Sequence, residues 1–444
     1  MAGELNPQDI FAEVSLYYHA QRMYGILTDP RVGVFDRIPG IHDVNGELVP
    51  LNLVANYRLP TSADATSLAP AMIAFHASAE QMAMGMAEMQ GLVGYVGDFL
   101  VFGQAEDGDF AYDGETIYHE LGHAVVHAGT GLPGVEPDAF GLTHLGPALN
   151  EGIADTLAFL VSERPSLYAY IEKRLGPGFA QDVRSDHSFP NDLMGSSRSD
   201  GSVISSVNWD AFELLRSSAG FDRYRFLRIL LLTLQRLGSA HTWSTFQQYA
   251  DTFLAVLVDE GNGAQEAAIR ALFFERGLYQ PFRATDITNA TTPGVLLFTG
   301  GAGDFPWNTW LEREEEDVRV RIAPAYVQTQ ATPPPGMTTL TVEVTMTRSP
   351  MDMGMGTDGT DLSYRLYARA NEPVRYEPAA GNLVIVTTDD ELDPETIEPV
   401  STPFGQGAKA TWTLAGLDPG STYYLHFVNY GVSEGLIQIT AAWK

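Results

Sequence analysis

The spacing of apolar residues changes once along this chain, and that change restricts the possible folds more than any other feature. Through the first two-thirds of the 444 residues, long stretches place apolar residues three or four positions apart, as an amphipathic helix does. After about residue 312, short segments alternate apolar and polar residues and are separated by turn sequences such as Asp418-Pro419-Gly420. Apolar residues three or four positions apart share one face of a helix but fall on both faces of a strand, so the two patterns specify different elements. We therefore predict two regions of different architecture.

The first region, 1–312, is predicted to be mainly helical with a small N-terminal sheet. Apolar residues recur at helical spacing over 8–28, and helical patterns dominate again from 114 to about 277. Short apolar segments at 48–59 and 99–102, which end at a proline and a glycine, are typical of strands. Helices therefore supply most of the expected core of this region.

The second region, 313–444, is predicted to be an antiparallel β-sandwich. Its strand-like segments lie at 338–347, 362–368, 383–388, 408–414, 423–429 and 436–442. That number of short strands, separated by turn signals, is typical of two packed antiparallel sheets. The predicted fold class is therefore α+β, with a mainly helical domain followed by a sheet domain.

Composition excludes several classes of function. Aspartate and glutamate together number 56 against 26 lysines and arginines, a formal net charge of −30. Such a surface repels phosphate backbones and anionic lipids, so we expect no nucleic-acid partner. The chain has no cysteine, which excludes disulfides and thiolate metal sites. It also contains no apolar run of the ~18–20 residues that a membrane span needs.

The segment Tyr118-His119-Glu120-Leu121-Gly122-His123 carries the clearest chemical signal. Residues four apart on a helix lie on one face, so His119 and His123 can point into one site. Two neutral imidazoles can hold Zn²⁺, and the intervening Glu120 is placed to act as general base on a metal-bound water.

A third ligand is predicted at Glu151. His127 lies eight residues after His119, about 12 Å along a helix axis, and is too distant to share one ion with it. The segment Asn150-Glu151-Gly152-Ile153-Ala154-Asp155 also reads as helix. Glu151 would complete a site with two histidines and one glutamate, and Asp155 could accept the free ring N–H of a ligating histidine. The two ligand helices are expected near 114–128 and 148–162.

These two motifs resemble those of gluzincin zinc metallopeptidases of the thermolysin/fungalysin-like group. Glu151 lies 28 positions after His123, somewhat further than in thermolysin-like enzymes. The resemblance implies a zincin catalytic domain over 1–312, a polypeptide substrate and zinc-dependent endopeptidase activity. It also implies secretion, although no signal peptide is visible in this chain, and it leaves the oligomeric state open.

The resemblance further implies residues that stabilise the oxyanion and bind substrate. His144 stands where the family has a tyrosine that hydrogen-bonds the developing oxyanion. Arg198 stands where the family places a histidine with a similar role, so that either residue, or both, is a candidate. Ala74 and Phe75 resemble part of the edge strand that pairs with extended substrate.

Two alternatives remain open at this stage. Calcium could bind the cluster formed by Asp107, Asp109, Asp113 and Glu115, although the position of Asp113 favours a helix cap. The protein could also be an inactive zinc-binding module for adhesion or surface assembly. The C-terminal region, through Leu417 to Tyr424, resembles the prepeptidase C-terminal type of domain and has no evident catalytic cluster.

Overall fold

A computed structural model describes most of the chain. The described residues are 9–38, 47–60, 68–78, 97–130, 136–138, 141–143, 145–176, 180–189, 192–193, 197–240, 245–280, 282–291, 295–299, 327–348, 364–379, 382–386, 408–429 and 435–444. Within these ranges, no helix combines the length and the apolar character needed to cross a bilayer.

The chain forms two compact units. The first contains Met1–Gly134, Gly146–His187 and Gly201–Leu278, and the second contains Val135–Leu145, Ser188–Asp200 and Tyr279–Lys444. The predicted boundary at 312/313 lies outside the described residues and stays a prediction. The fold class is α+β with a C-terminal sheet domain, as predicted from the change in apolar spacing.

Helices form most of the first unit. Their bounds are α1 Ile10–Leu27, α2 Gly114–Thr130, α3 Leu145–Ser162, α4 Ala169–Leu175, α5 Ser197–Arg216, α6 Arg223–Ala240, α7 Phe246–Leu257 and α8 Glu266–Glu275. Local signals start several of them: the Asp9 side chain accepts the Phe11 backbone N–H ahead of α1, and Thr245 and Gln248 form a capping box at α7. Helices α2 and α3 cover the two predicted ligand segments.

A small sheet lies beside these helices. Its strands are β1 Leu51–Pro60, β2 Leu68–Pro70, β3 Ala74–Ala77 and β4 Asp98–Gly103, in the order β2-β1-β4-β3. Strands β1 and β4 run parallel, and the other pairs are antiparallel. The central residues of β4 are all buried, which explains their continuous apolar run. Among the described residues, β3 is an edge strand that pairs only with β4.

Glycines allow the ligand helices to approach closely. A Cβ atom at Gly122 of α2 would lie 2.7 Å from the Ala154 Cα of α3. A Cβ atom at Gly152 of α3 would lie 2.4 Å from the Gly201 carbonyl oxygen of α5. Only glycine fits at such separations, so the first contact holds α3 close to α2 and the second holds α3 close to α5.

The second unit contains two four-stranded sheets. The strands of the first sheet are, in order, β10 Val295–Thr299, β18 Gly435–Trp443, β12 Thr339–Arg348 and β16 Ala408–Ala415. The strands of the second sheet are, in order, β13 Tyr364–Ala370, β17 Tyr423–Asn429, β11 Val327–Ala331 and β9 Arg283–Asp286. Shorter pairs are formed by β5 Glu136–Asp138 with β6 Gly141–Thr143, and by β14 Arg375–Ala379 with β15 Asn382–Val386; β7 Ser166–Leu167 pairs with β8 Gln181–Asp182 in the first unit.

Alternating side chains from both large sheets form one hydrophobic cluster. Leu340, Val342 and Val344 come from β12, whereas Leu425 and Phe427 come from β17. The strand segments predicted from 338 onward correspond to β12, β13, β15, β16, β17 and β18. One pairing differs from the antiparallel prediction, because β9 runs parallel to β11. Strand β9 lies upstream of the predicted sheet region, so its sequence position gave no sign of this pairing.

Candidate metal centre

Three potential ligand atoms converge between α2 and α3, and they belong to the residues predicted as metal ligands. The Nε2 atoms of His119 and His123 lie 3.0 Å apart. Glu151 Oε2 lies 3.3 Å from the first of these atoms and 3.7 Å from the second. Both imidazoles are buried, and the glutamate is half-buried.

These separations match those expected around a small tetrahedral cation. With zinc–nitrogen and zinc–oxygen bonds of about 2.0–2.1 Å, two ligand atoms of a tetrahedral ion lie about 3.3 Å apart. The measured separations of 3.0, 3.3 and 3.7 Å bracket this value. Three protein ligands also leave a fourth position for water, as in catalytic zinc sites. The donor set therefore fits Zn²⁺.

Hydrogen bonds on the far side of each ring orient the two imidazoles. His119 Nδ1 lies 2.8 Å from Asp155 Oδ1, and His123 Nδ1 lies 3.0 Å from Asn150 Oδ1. Both acceptors place the ring proton on Nδ1, which leaves an unprotonated lone pair on each Nε2. Two lone pairs facing each other repel unless a proton or a metal ion lies between them. The sequence predicted the role of Asp155 but missed that of Asn150.

Tyr168 joins this network, and the sequence analysis missed it. Its hydroxyl lies 2.8 Å from His119 Nδ1 and also donates a hydrogen bond to Asp155. The residue is buried and has a left-handed backbone conformation, with φ of 62°, just before α4. Such a conformation costs free energy in a non-glycine residue, and residues of this kind are enriched at functional sites. No sequence motif marks a tyrosine for this role, because the path of the chain after α3 brings it there.

The electrostatic environment of His119 favours positive charge. Burial alone lowers the pKa of its imidazole, but the hydrogen bonds and charges of Asp155 and Glu151 outweigh burial and raise the pKa to about 10. A proton and a metal ion compete for the same Nε2 lone pair. Metal affinity at this site is therefore expected to fall as the pH is lowered.

Four of the other predicted site residues, Glu120, Ala74, Phe75 and Arg198, lie in the described part of the chain. Glu120 is buried on α2, with 5% of its surface exposed. Ala74 and Phe75 are half-buried on the edge strand β3. Arg198 is exposed in the first turn of α5, and His144 lies outside the described residues. The roles predicted for these residues remain predictions.

The acidic cluster before α2 gives no support to calcium binding. Asp109 accepts the Ala111 backbone N–H, and Asp113 accepts the Thr116 hydroxyl. Burial is the main cause that raises the pKa of Asp109 to about 6 and that of Asp113 to about 7. Both carboxylates accept hydrogen bonds from residues two or three positions further along the chain, as side chains that cap a turn or a helix do. The position of Asp113 directly before α2 fits the alternative interpretation, a helix cap.

No protein-family model matches the chain, and no curated protein matches it. Among solved structures, the chain is similar to the precursor of protealysin, a metalloproteinase from Serratia proteamaculans, with 15% sequence identity and a TM-score of 0.38. The similarity covers 62% of this chain and 81% of that chain. So low an identity and TM-score assign no activity to this chain.

Proposed function

We propose that the protein is a zinc-dependent endopeptidase of the gluzincin type. The observation that carries this proposal is the convergence of His119 Nε2, His123 Nε2 and Glu151 Oε2 at separations that suit one tetrahedral ion. The buried glutamate between the two histidines adds the general base that metal-dependent hydrolysis needs. These features together favour hydrolysis over a purely structural metal site.

Each residue in the proposed mechanism has a distinct task. His119, His123 and Glu151 would hold Zn²⁺, which supplies a Lewis acid and lowers the pKa of water. Glu120 accepts a proton from the attacking water and returns it to the leaving amine, so that one water and one peptide bond give a carboxylate and an amine. Asp155 and Tyr168 keep the His119 ring in its ligating orientation.

The proposal also assigns residues to substrate binding and to the oxyanion. An extended polypeptide could add to the edge of β3 at Ala74 and Phe75, where the described residues supply no second partner strand, since backbone groups at an edge strand can pair with another chain. His144, Arg198 or both would stabilise the oxyanion. Removing such a donor typically lowers kcat by about 10²–10³. Secretion and an accessory role for the C-terminal sheets complete the proposal, on the family resemblance alone.

Glu120→Gln tests the proposed general base. Glutamine keeps the shape of the side chain but cannot accept the proton of water, so cleavage of a quenched-fluorescent peptide library should fall by about 10²–10⁴. Zinc content, measured by mass spectrometry of the intact and dialysed protein, should stay at the wild-type value because Glu120 is not a proposed ligand.

Glu163→Gln is the matched control, because this surface glutamate pairs with Arg223 outside the candidate centre. The control should cleave as the wild type does. Full cleavage by Glu120→Gln would exclude Glu120 as the base. If the wild type binds zinc but cleaves no library peptide, the result would favour the inactive zinc-binding module. If the wild type does not bind zinc, both the endopeptidase and the inactive module would be refuted.

A further inference from the structure

A second group of potential ligands lies beside α2, one helical turn beyond His123. His76 Nε2 lies 2.9 Å from Asp98 Oδ2, and His127 Nδ1 lies 3.1 Å from the same oxygen. All three ligand atoms lie within 4.8 Å of one another. The three residues come from three different elements, β3, β4 and α2, and none of them belongs to the first group.

The pairing of the sheet explains why these side chains meet. In the antiparallel register of β3 and β4, His76 is opposite Leu100. Asp98 lies two residues before Leu100 and therefore points to the same face of the sheet as His76. His127 follows His123 by four residues, so it continues the same face of α2 about 6 Å further along the helix. That face lies against the sheet.

The donor set and its exposure suit a metal ion. Two imidazole nitrogens and one carboxylate oxygen form the set that zinc, cobalt and related divalent ions favour in proteins. The side chain of His76 is 1% exposed, whereas those of Asp98 and His127 are 15% and 21% exposed. The cluster is thus buried at His76 and partly exposed at Asp98 and His127, which allows an ion to enter and to retain water ligands.

We propose that His76, Asp98 and His127 form a second binding site for a divalent transition-metal ion, separate from the candidate centre. In the hydrogen-bonded arrangement, the imidazole N–H groups of both histidines point at Asp98 Oδ2. When the ion binds, the single proton of each neutral imidazole moves to the other ring nitrogen, and the nitrogen that faced Asp98 presents its lone pair to the metal. The ion links the edge strand to α2, directly next to Phe75.

Titration of the metal-stripped full-length chain with Co²⁺ tests this site. Cobalt has a visible spectrum that reports nitrogen and oxygen ligation, and equilibrium dialysis gives the stoichiometry. The wild type should bind two equivalents. His127→Gln and Asp98→Asn should each bind one, because each substitution removes a ligand of the second site alone. His187→Gln is the matched control, since His187 hydrogen-bonds Ser202 outside both groups, and this variant should retain two equivalents.

A Glu151→Gln background separates this inference from the proposed function. If Glu151→Gln binds one equivalent of Co²⁺ and the double variant with His127→Gln binds none, the second site is supported. This holds whether or not the first centre binds metal as proposed. A single equivalent in the wild type that Glu151→Gln removes would overturn the second site, as would two equivalents retained in both His127→Gln and Asp98→Asn. The melting temperature of each variant in chelator checks folding, and Asp98→Asn, which preserves side-chain size, is the reference if His127→Gln is unstable.

Discussion

Asp155 links two buried groups at the candidate metal centre, the His119 ring and the Tyr168 hydroxyl. Its carboxylate fixes the ring proton on Nδ1 and makes Nε2 a stronger electron donor. In the proposed centre it would therefore act on the metal through His119 rather than by direct ligation, which makes it a positioning residue.

Asp155→Asn should weaken zinc binding without unfolding the protein. Asparagine can still accept both hydrogen bonds through its amide oxygen but lacks the negative charge, so we expect the Kd for Zn²⁺ to rise about 10–100-fold. Competition with a fluorescent chelator measures the Kd, and a cooperative melting transition in chelator shows that the variant is folded. The exposed Asp259→Asn, which loses only a surface pair with Arg236, should leave the Kd unchanged. An unchanged Kd in Asp155→Asn would remove its positioning role.

At this scale, the sequence predicted residues that follow helical periodicity and missed those that do not. His119 and His123 share one helix face, and Asp155 follows Glu151 by one turn, so their spacing was sufficient to place them. Tyr168 and Asn150 depend on how the chain leaves α3 and on which rotamer a side chain adopts. His76 also could not be placed from the sequence, because only the register of β3 against β4 brings it near His127.

At the scale of elements, the contact between α2 and α3 decides whether the ligands converge. Gly122 provides the space for this contact, because a Cβ atom there would lie 2.7 Å from the Ala154 Cα, which cannot move independently of its helix. Glu151 lies one turn before Ala154, so a shift of α3 moves the glutamate away from the two imidazoles.

Gly122→Ala should therefore reduce both stability and metal affinity. Adding atoms to a well-packed contact typically costs about 1–3 kcal/mol, and we expect a loss of that size in urea unfolding together with weaker Zn²⁺ binding. Gly25→Ala is the matched control, because a Cβ atom at Gly25 of α1 meets nothing within 4 Å. Alanine has a higher helix propensity than glycine, so Gly25→Ala should instead raise the free energy of unfolding by about 0.5–1 kcal/mol. Equal stability of the two variants would contradict the close-contact argument.

Elements with a clear period were predictable, whereas pairings between distant elements were not. The segments 338–347 and 423–429 became β12 and β17 almost residue for residue, because alternation marks a strand with one buried face. The parallel partner of β11 is β9, more than forty residues upstream. Local patterning contains no information on such a pairing, so the predicted all-antiparallel domain was incomplete.

At the scale of the whole molecule, charge is the dominant feature. A net charge of −30 on 444 residues produces repulsion that opposes the compact state. Salt screens this repulsion, since the Debye length falls from about 30 Å at 0.01 M to about 8 Å at 0.15 M. The same excess of negative charge raises the local concentration of cations.

The melting temperature should rise with ionic strength between 0.01 M and 0.3 M NaCl, on the order of a few degrees. Differential scanning calorimetry with excess chelator separates screening from metal binding. Choline chloride should give the same increase, because screening depends on ionic strength rather than on a particular cation. A flat or falling melting temperature would show that the acidic side chains are already compensated locally.

The proposed ligands and Asp155 lie close together in the first part of the chain, which affects when an ion could bind during synthesis. His119, His123, Glu151 and Asp155 all lie within residues 119–155, on two helices that touch directly. A nascent chain exposes all four long before its C-terminal strands leave the ribosome. The proposed centre could therefore bind its ion during synthesis, before the remaining two-thirds of the polypeptide folds.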